Sequence, residues 1–315
     1  MTTWFRTMQQ WHRPLAWFAA AMAALGVVSL VGYFLDPRIL VGVPIWAKPL
    51  KFSLSFLAYA VTMGWMLSKV QRPRLRKVGW WAGTVLAGAS TLEMTAITLQ
   101  VVRGQQSHFN VSTPFNTAVY AAMGILVFVI YLSTLVVAGI LVATPMADRA
   151  ATWAVRLGLG IGVAGLSVGF LMVIPTAAQT ATGKSTLLGA HSVDTVDGGP
   201  SLPFLGWSTT GGDLRIAHFI GMHGLQVLPL LAIALTLIPR TARLSQRTRT
   251  RIVLLAAFGY TGVYAITLWQ ALRGQAITSP DAATLLAAAA LLVAVTASAL
   301  AINRTAATQR HLTPA

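Results

Sequence analysis

The sequence predicts an all-α fold, a polytopic transmembrane bundle of eight helices, and three observations predict it. Apolar runs recur from end to end of a 315-residue chain that is 56% hydrophobic and 10% charged, with a mean hydropathy of +0.69, which is not an ordinary soluble composition. Each run is about 19 to 28 residues long, enough to cross roughly 30 Å of hydrocarbon at about 1.5 Å per residue. The basic residues gather in alternate loops, as they do when loop charge sets the orientation of membrane helices.

The runs lie near 15–35, 50–68, 78–100, 116–143, 152–174, 216–238, 252–272 and 282–302. The first has no small-residue cleavage site, so it is expected to stay as a helix and not leave as a signal peptide. The loop after it is punctuated by Pro37, Pro44 and Pro49, and Lys48 and Lys51 stand at the lip of the second run. Those two lysines either snorkel, with stems in the interface and ammonium groups in water, or present cations to a ligand. The third run carries Glu93, the only glutamate, with Gln100 on the same helical face and Arg103 just beyond. Glu93 is expected roughly 15 Å below Arg103, close to mid-membrane, where a carboxyl is a functional candidate by default.

The following loop contains His108 and Asn110, and Pro114 suits the first turn of the fourth helix. The fourth and fifth runs are almost wholly apolar, and Gly158, Gly160, Gly162 and Gly165 give the fifth small-residue faces for close packing. A loop at about 176–213, rich in Gly, Thr, Ser and Asp and containing His191, is long enough to be a lid or binding element. Its Gly183-Lys184-Ser185-Thr186 resembles the end of a phosphate-binding loop, but Ala178 replaces the first glycine and no strand precedes it, so that motif is rejected. Gly211-Gly212-Asp213 then leads into the sixth run, which holds Arg215, His218, His223 and Gln226 before Pro229. No other run carries so many polar groups. In hydrocarbon they are costly and usually face a bundle interior or a wet cavity.

Charge sets the expected topology. The loops after the second and sixth runs hold Lys69, Arg72, Arg74, Arg76 and Lys77, and Arg240, Arg243, Arg247, Arg249 and Arg251. With both in the cytoplasm, that side has 16 basic residues and one acid, and the other has seven basic residues and six acids including Glu93. An inner-membrane protein with both termini cytoplasmic follows. The net charge of +16 is thereby a topology signal, nucleic-acid binding is not expected, and the bilayer is the one partner the sequence names. Cys is absent, which excludes disulfides, thiolate metal sites and Cys nucleophiles.

A faint repeat divides the chain into four-helix halves, 1–150 and 151–315. Gln100-x-x-Arg103-Gly104-Gln105 closes the third run and Gln270-x-x-Arg273-Gly274-Gln275 the seventh; Lys48-x-x-Lys51-Phe52 corresponds with Arg215-x-x-His218-Phe219. Parallel repeats about the membrane normal would give this pattern.

The candidate site gathers on the outer side. Glu93, Arg103 and Arg215 are the candidate catalytic residues, with Lys48, Lys51, Gln100, Asp213 and Gln226 as ligand-binding residues. His108, His218 and His223 are the candidate metal ligands, since imidazole and carboxylate bind Zn, Fe and Cu. His218 and His223, five apart, point about 140° from each other around a helix, so a shared ion needs ligands from other helices. His108 with His218 at the mouth and His223 with Glu93 below it are the expected pairs. The candidate cofactor is haem or a divalent transition metal, which suits a membrane oxidoreductase. Eight helices in two halves also resemble the haem A synthase architecture, in architecture alone and with no shared motif. The alternative is a transporter or receptor for a small polar or anionic ligand, its cations forming a funnel above a protonatable glutamate.

Overall fold

The computed structural model describes residues 3–182 and 185–312; Gly183 and Lys184 of the rejected phosphate-loop motif lie outside them. Helix α1 (Thr3–Trp11) leads directly into α2 (Arg13–Leu35). His12 between them is buried and caps α2, its Nδ1 accepting from the Leu15 N–H at 3.3 Å, while its Nε2 lies 2.8 Å from the Trp80 carbonyl. The short hairpin β1 (Ile39–Leu40) and β2 (Val43–Pro44) follows. Its turn residues Val41 and Gly42 both have positive φ, 51° and 75°, as a tight two-residue hairpin demands.

Four more long helices come next, α3 (Ala47–Leu67), α4 (Pro73–Val102), α5 (Pro114–Val142) and α6 (Arg149–Met172). The loop up to 213 holds α7 (Ala177–Thr182) and strands β3 (Ser192–Val193) and β4 (Gly212–Asp213), which pair antiparallel. Then come α8 (Leu214–Leu237), α9 (Pro239–Ala242), α10 (Gln246–Leu272) and α11 (Ala282–Leu312). Among the described residues eight helices are long and apolar enough to cross a membrane. This is the all-α transmembrane bundle, and every expected run falls on one of the eight. The sequence reading missed α1. That helix packs against α2 and α3, with Met8 buried and the Phe5 ring 5.1 Å from Trp17.

Helix packing follows chain order. Among the earlier helices α2 packs on α3, α3 on α4, α2 on α4 and α4 on α5; among the later ones α6 packs on α8, α8 on α10, α6 on α10 and α10 on α11. The two sets touch where α5 meets α6 and α3 meets α8. The tightest contact is α6 with α8, because Gly158, Gly162 and Gly165 of α6 face Gly221, Gly224 and Leu225 of α8, and a Cβ on Gly165 would strike α8 backbone. Gly160 points the other way into open space. Helix α11 packs along α10 and exposes Leu285, Leu286, Leu292 and Val293, apolar surface suited to lipid.

The two Q-x-x-R-G-Q segments end their helices alike. Gly104 and Gly274 take positive φ, 67° and 68°, and the Gln105 and Gln275 N–H groups return to the Gln100 and Gln270 carbonyls at 2.8 and 3.2 Å. A glycine in the left-handed region is the usual way to close a helix like this. Arg103 and Arg273 then stack on Phe115 and Trp269.

Candidate functional site

The loop between α4 and α5 folds inward over the end of the bundle. Phe109 at φ 65° reverses the chain and is itself buried. Its carbonyl accepts from the Leu188 N–H at 2.8 Å, and the Val111 N–H donates to the Thr186 carbonyl at 2.9 Å. The loops at 103–113 and 185–193 are thus stitched together, and His108 points into the bundle.

His108 joins Glu93 to Lys48. Its Nδ1 is 2.9 Å from Lys48 Nζ and 3.1 Å from Ser107 Oγ, and its Nε2 is 3.6 Å from Glu93 Oε1. An ammonium can only donate, so Nδ1 accepts and the proton of a neutral ring sits on Nε2, facing Glu93. Burial pushes the His108 pKa well below its ordinary value, and the Lys48 ammonium and His191 push it further the same way. Lys48 thus turns inward and does not snorkel.

Glu93 is the anomaly of the site. It is 1% exposed, and neither carboxylate oxygen has a hydrogen-bond partner among the described residues. An ionised carboxylate left so would cost several kcal/mol, roughly the effective penalty of an uncompensated buried ion. At 30 residues, α4 is about 45 Å long and overhangs a hydrocarbon core of roughly 30 Å. Counted from Lys77 at the basic end, Glu93 is about 24 Å along the axis, and it is about 15 Å from Arg103 at the other.

Beside this trio, two cations hold the long loop in place. Lys51 Nζ donates to the Leu205 carbonyl at 2.7 Å. Arg215 donates to both oxygens of Asp213, at 2.9 and 2.6 Å, and to the Gly206 carbonyl at 2.5 Å. Asp213 also accepts from the Arg215 and Ser208 N–H groups at 3.0 and 2.8 Å, so its capacity is spent on the loop and on capping α8. Above them His191 Nδ1 lies 2.7 Å from Asp197 Oδ2. Burial lowers the His191 pKa in spite of that partner. Burial also opposes the Asp197 charge, yet its bonds to His191 and the Ser192 N–H prevail and hold the carboxyl well below its usual range. The sequence reading missed the His191–Asp197 pair. The two residues are both polar loop positions with no spacing rule to join them.

The remaining candidates stand apart. Gln100 and Arg103 form a network with Asn116 at the ends of α4 and α5: Arg103 donates to Gln100 Oε1 and, at 2.9 Å, to Asn116 Oδ1. His218 Nδ1 lies 2.8 Å from the Gly165 carbonyl of α6. His223 Nδ1 lies 3.2 Å from Gln226 Oε1, and its buried Nε2 has no partner among the described residues. The expected pair of His223 with Glu93 therefore does not form, and Glu93 meets His108 instead. No group of three His, Asp or Glu side chains among the described residues is arranged to hold a metal ion.

Two surface clefts lie away from this cluster. One is an apolar groove between α4 and α5 lined by Trp81, Val85, Leu132 and Val136, and the other is a basic cleft at Arg149, Arg247 and Arg251. No family model, no curated protein and no solved structure matches this chain significantly.

Proposed function

We propose that this integral membrane protein is a proton-linked transporter or receptor of the inner membrane, with both termini cytoplasmic. It takes a small polar or anionic ligand from the outer side. The observation that carries this reading is the buried Glu93, without a hydrogen bond, beside a neutral His108 whose other nitrogen accepts from Lys48. Such a carboxyl is stable when protonated and is costly when ionised. A proton arriving at or leaving Glu93 changes the charge balance around Lys48, which is within electrostatic reach of Lys51, Arg215 and Asp197. Lys51 and Arg215 donate to backbone carbonyls of residues 205 and 206, acceptors that an anionic ligand would replace.

The test measures thermal stabilisation of the purified protein by acetate, inorganic phosphate and glutamate across pH. At least one anion should stabilise the wild type in a pH-dependent way, Glu93→Gln should abolish the pH dependence, and Lys51→Gln with Arg215→Gln should abolish the stabilisation. If none of these anions stabilises the wild type at any pH, the ligand class is wrong.

A metal or haem oxidoreductase is the second candidate, and one observation favours it. His218 and His223 each have Nδ1 anchored by an oxygen, and Nε2 of His223 is buried without a partner. That is the way second-layer partners orient a ligating imidazole. A Soret band or stoichiometric metal in the purified protein, lost in His223→Ala, would promote it over the transporter.

A further inference from the structure

We propose that Ser90 is the inward partner of the Glu93 proton: the protonated carboxyl donates to the Ser90 hydroxyl, one helical turn nearer the basic end. The bond depends on Glu93 taking up a proton, as in the function proposed for the site. Ser90 stands out among the hydroxyls of α4. Thr84, Thr91, Thr95 and Thr98 each donate to the carbonyl four residues back, all at 2.8 Å, a common way for a helix to satisfy a hydroxyl. Ser90 does not. It is 0% exposed, and its Oγ has no partner among the described residues. Residues three apart on a helix are neighbours on one face, and a long side chain leans over the turn N-terminal to its own. For Glu93 that turn holds Ser90. Because α4 runs from the basic end, the lean is inward, away from the outer loops.

The tautomer of His108 decides which partner the proton takes. Its Nδ1 accepts from Lys48, so its Nε2 carries the ring proton and faces Glu93 Oε1 at 3.6 Å. A protonated Glu93 keeps one oxygen to receive that N–H, and a small turn of its side chain closes the contact. Its other oxygen becomes a donor. Neither the His108 N–H nor the Lys48 ammonium can accept from it, whereas Ser90 Oγ is a free acceptor on the same helical face. On accepting, Ser90 can turn its own O–H to the Leu86 carbonyl four residues back, as the threonines of α4 do. The donors then all run one way, from Lys48 through His108, Glu93 and Ser90 to the α4 backbone, and bonds in such a chain polarise and strengthen one another. An ionised Glu93 has no proton to give, so the line breaks at Ser90. Protonation thereby ties the outer cluster to the inner turn of α4.

Infrared spectroscopy of the full chain in lipid nanodiscs, read at the C=O stretch of a protonated carboxyl, tests this. Acidification should bring up a band that shifts in heavy water and is missing in Glu93→Gln. In Ser90→Ala that band should move to higher wavenumber, the direction of a carboxyl whose O–H is unbonded. Ser90→Cys nearly keeps the volume but is a weak acceptor; it should move the band the same way and guards against a folding defect in the first variant. Ser90→Thr restores a hydroxyl and should return the band to its wild-type position. Thr91→Ala removes a hydroxyl already bonded to the Ala87 carbonyl and should leave it there. A Glu93 band that stays in place in Ser90→Ala and Ser90→Cys would overturn Ser90 as the partner and leave the protonated Glu93 standing. If no band belongs to Glu93 at any pH where the protein stays folded, the protonated Glu93 itself is overturned, and the role of Ser90 with it.

Discussion

Glu93 and Asp213 are both buried acids, and they are held in opposite ways. Asp213 accepts from two backbone N–H groups and from the Arg215 fork, whereas Glu93 accepts no hydrogen bond among the described residues. Removing a partner from a buried ion pair costs about 3 kcal/mol or more, so Asp213→Ala should lower the unfolding free energy by about that much. Glu93→Gln removes an ionisable group that burial penalises, so it should leave stability within about 1 kcal/mol; denaturation in detergent compares the two. His108 and His191 add a pH dependence. Both are held below the ordinary value of 6.5 by burial, so an opened loop binds more protons than the closed one once pH falls below that value. The closure they support is complete above 6.5 and is lost as pH drops toward their lowered values. Asp197, held low, stays charged throughout and does not reverse the sign. Hydrogen exchange of amides 187–193, corrected for intrinsic rates, should therefore speed up between about pH 8 and pH 5.5, and His191→Gln should flatten the change. Exchange that slows in acid would contradict this closure mechanism.

Helix α6 shows how much an element's sequence reveals. Its glycines announced a close contact, yet three of the four face α8 and Gly160 faces open space. Gly165→Ala would push a methyl against the Gly221 and Met222 backbone, where no rotamer change gives relief, and overpacking of that kind costs about 1–3 kcal/mol. Gly160→Ala meets nothing within 4 Å and should be neutral or gain up to about 1 kcal/mol from helix propensity. Paired melting curves check the contrast, and equal effects would place α8 elsewhere. The eight long helices were legible because apolar runs of spanning length have few alternatives in lipid. Helix α1 was not, since a nine-residue segment with Arg and Gln among its aromatics has no such run. The sequence singles out the polar side chains of the apolar runs and not the partners they take in the structure. His218 takes a backbone carbonyl, which no residue pattern can show, and His108 faces Glu93 from a loop whose next residue, Phe109, has a positive φ that the sequence does not announce.

At the scale of the whole molecule, one end of the bundle gathers arginines and the other gathers loops. The α3–α4 and α8–α10 connections are short and basic, and α6 opens on Arg149 after the short α5–α6 turn. The hairpin, the loop holding His108 and the segment after 185 lie at the far end, where hydrogen bonds join the last two. Sixteen basic residues against one acid fall on the first end, and cytoplasmic loops collect Lys and Arg. A chain without cysteine allows a direct test by single-site labelling. Arg72→Cys and Arg243→Cys place thiols on exposed positions of the basic end, and Val196→Cys places one on a residue 82% exposed at the other. A membrane-impermeant maleimide added to intact cells should label Val196→Cys alone, and lysis should open the other two. Labelling of Arg72→Cys and Arg243→Cys in intact cells would invert the protein and turn the Glu93 cluster toward the cytoplasm. If only one of those two labelled, an odd number of crossings would separate α3 from α10, and the eight-span count would fall with the topology.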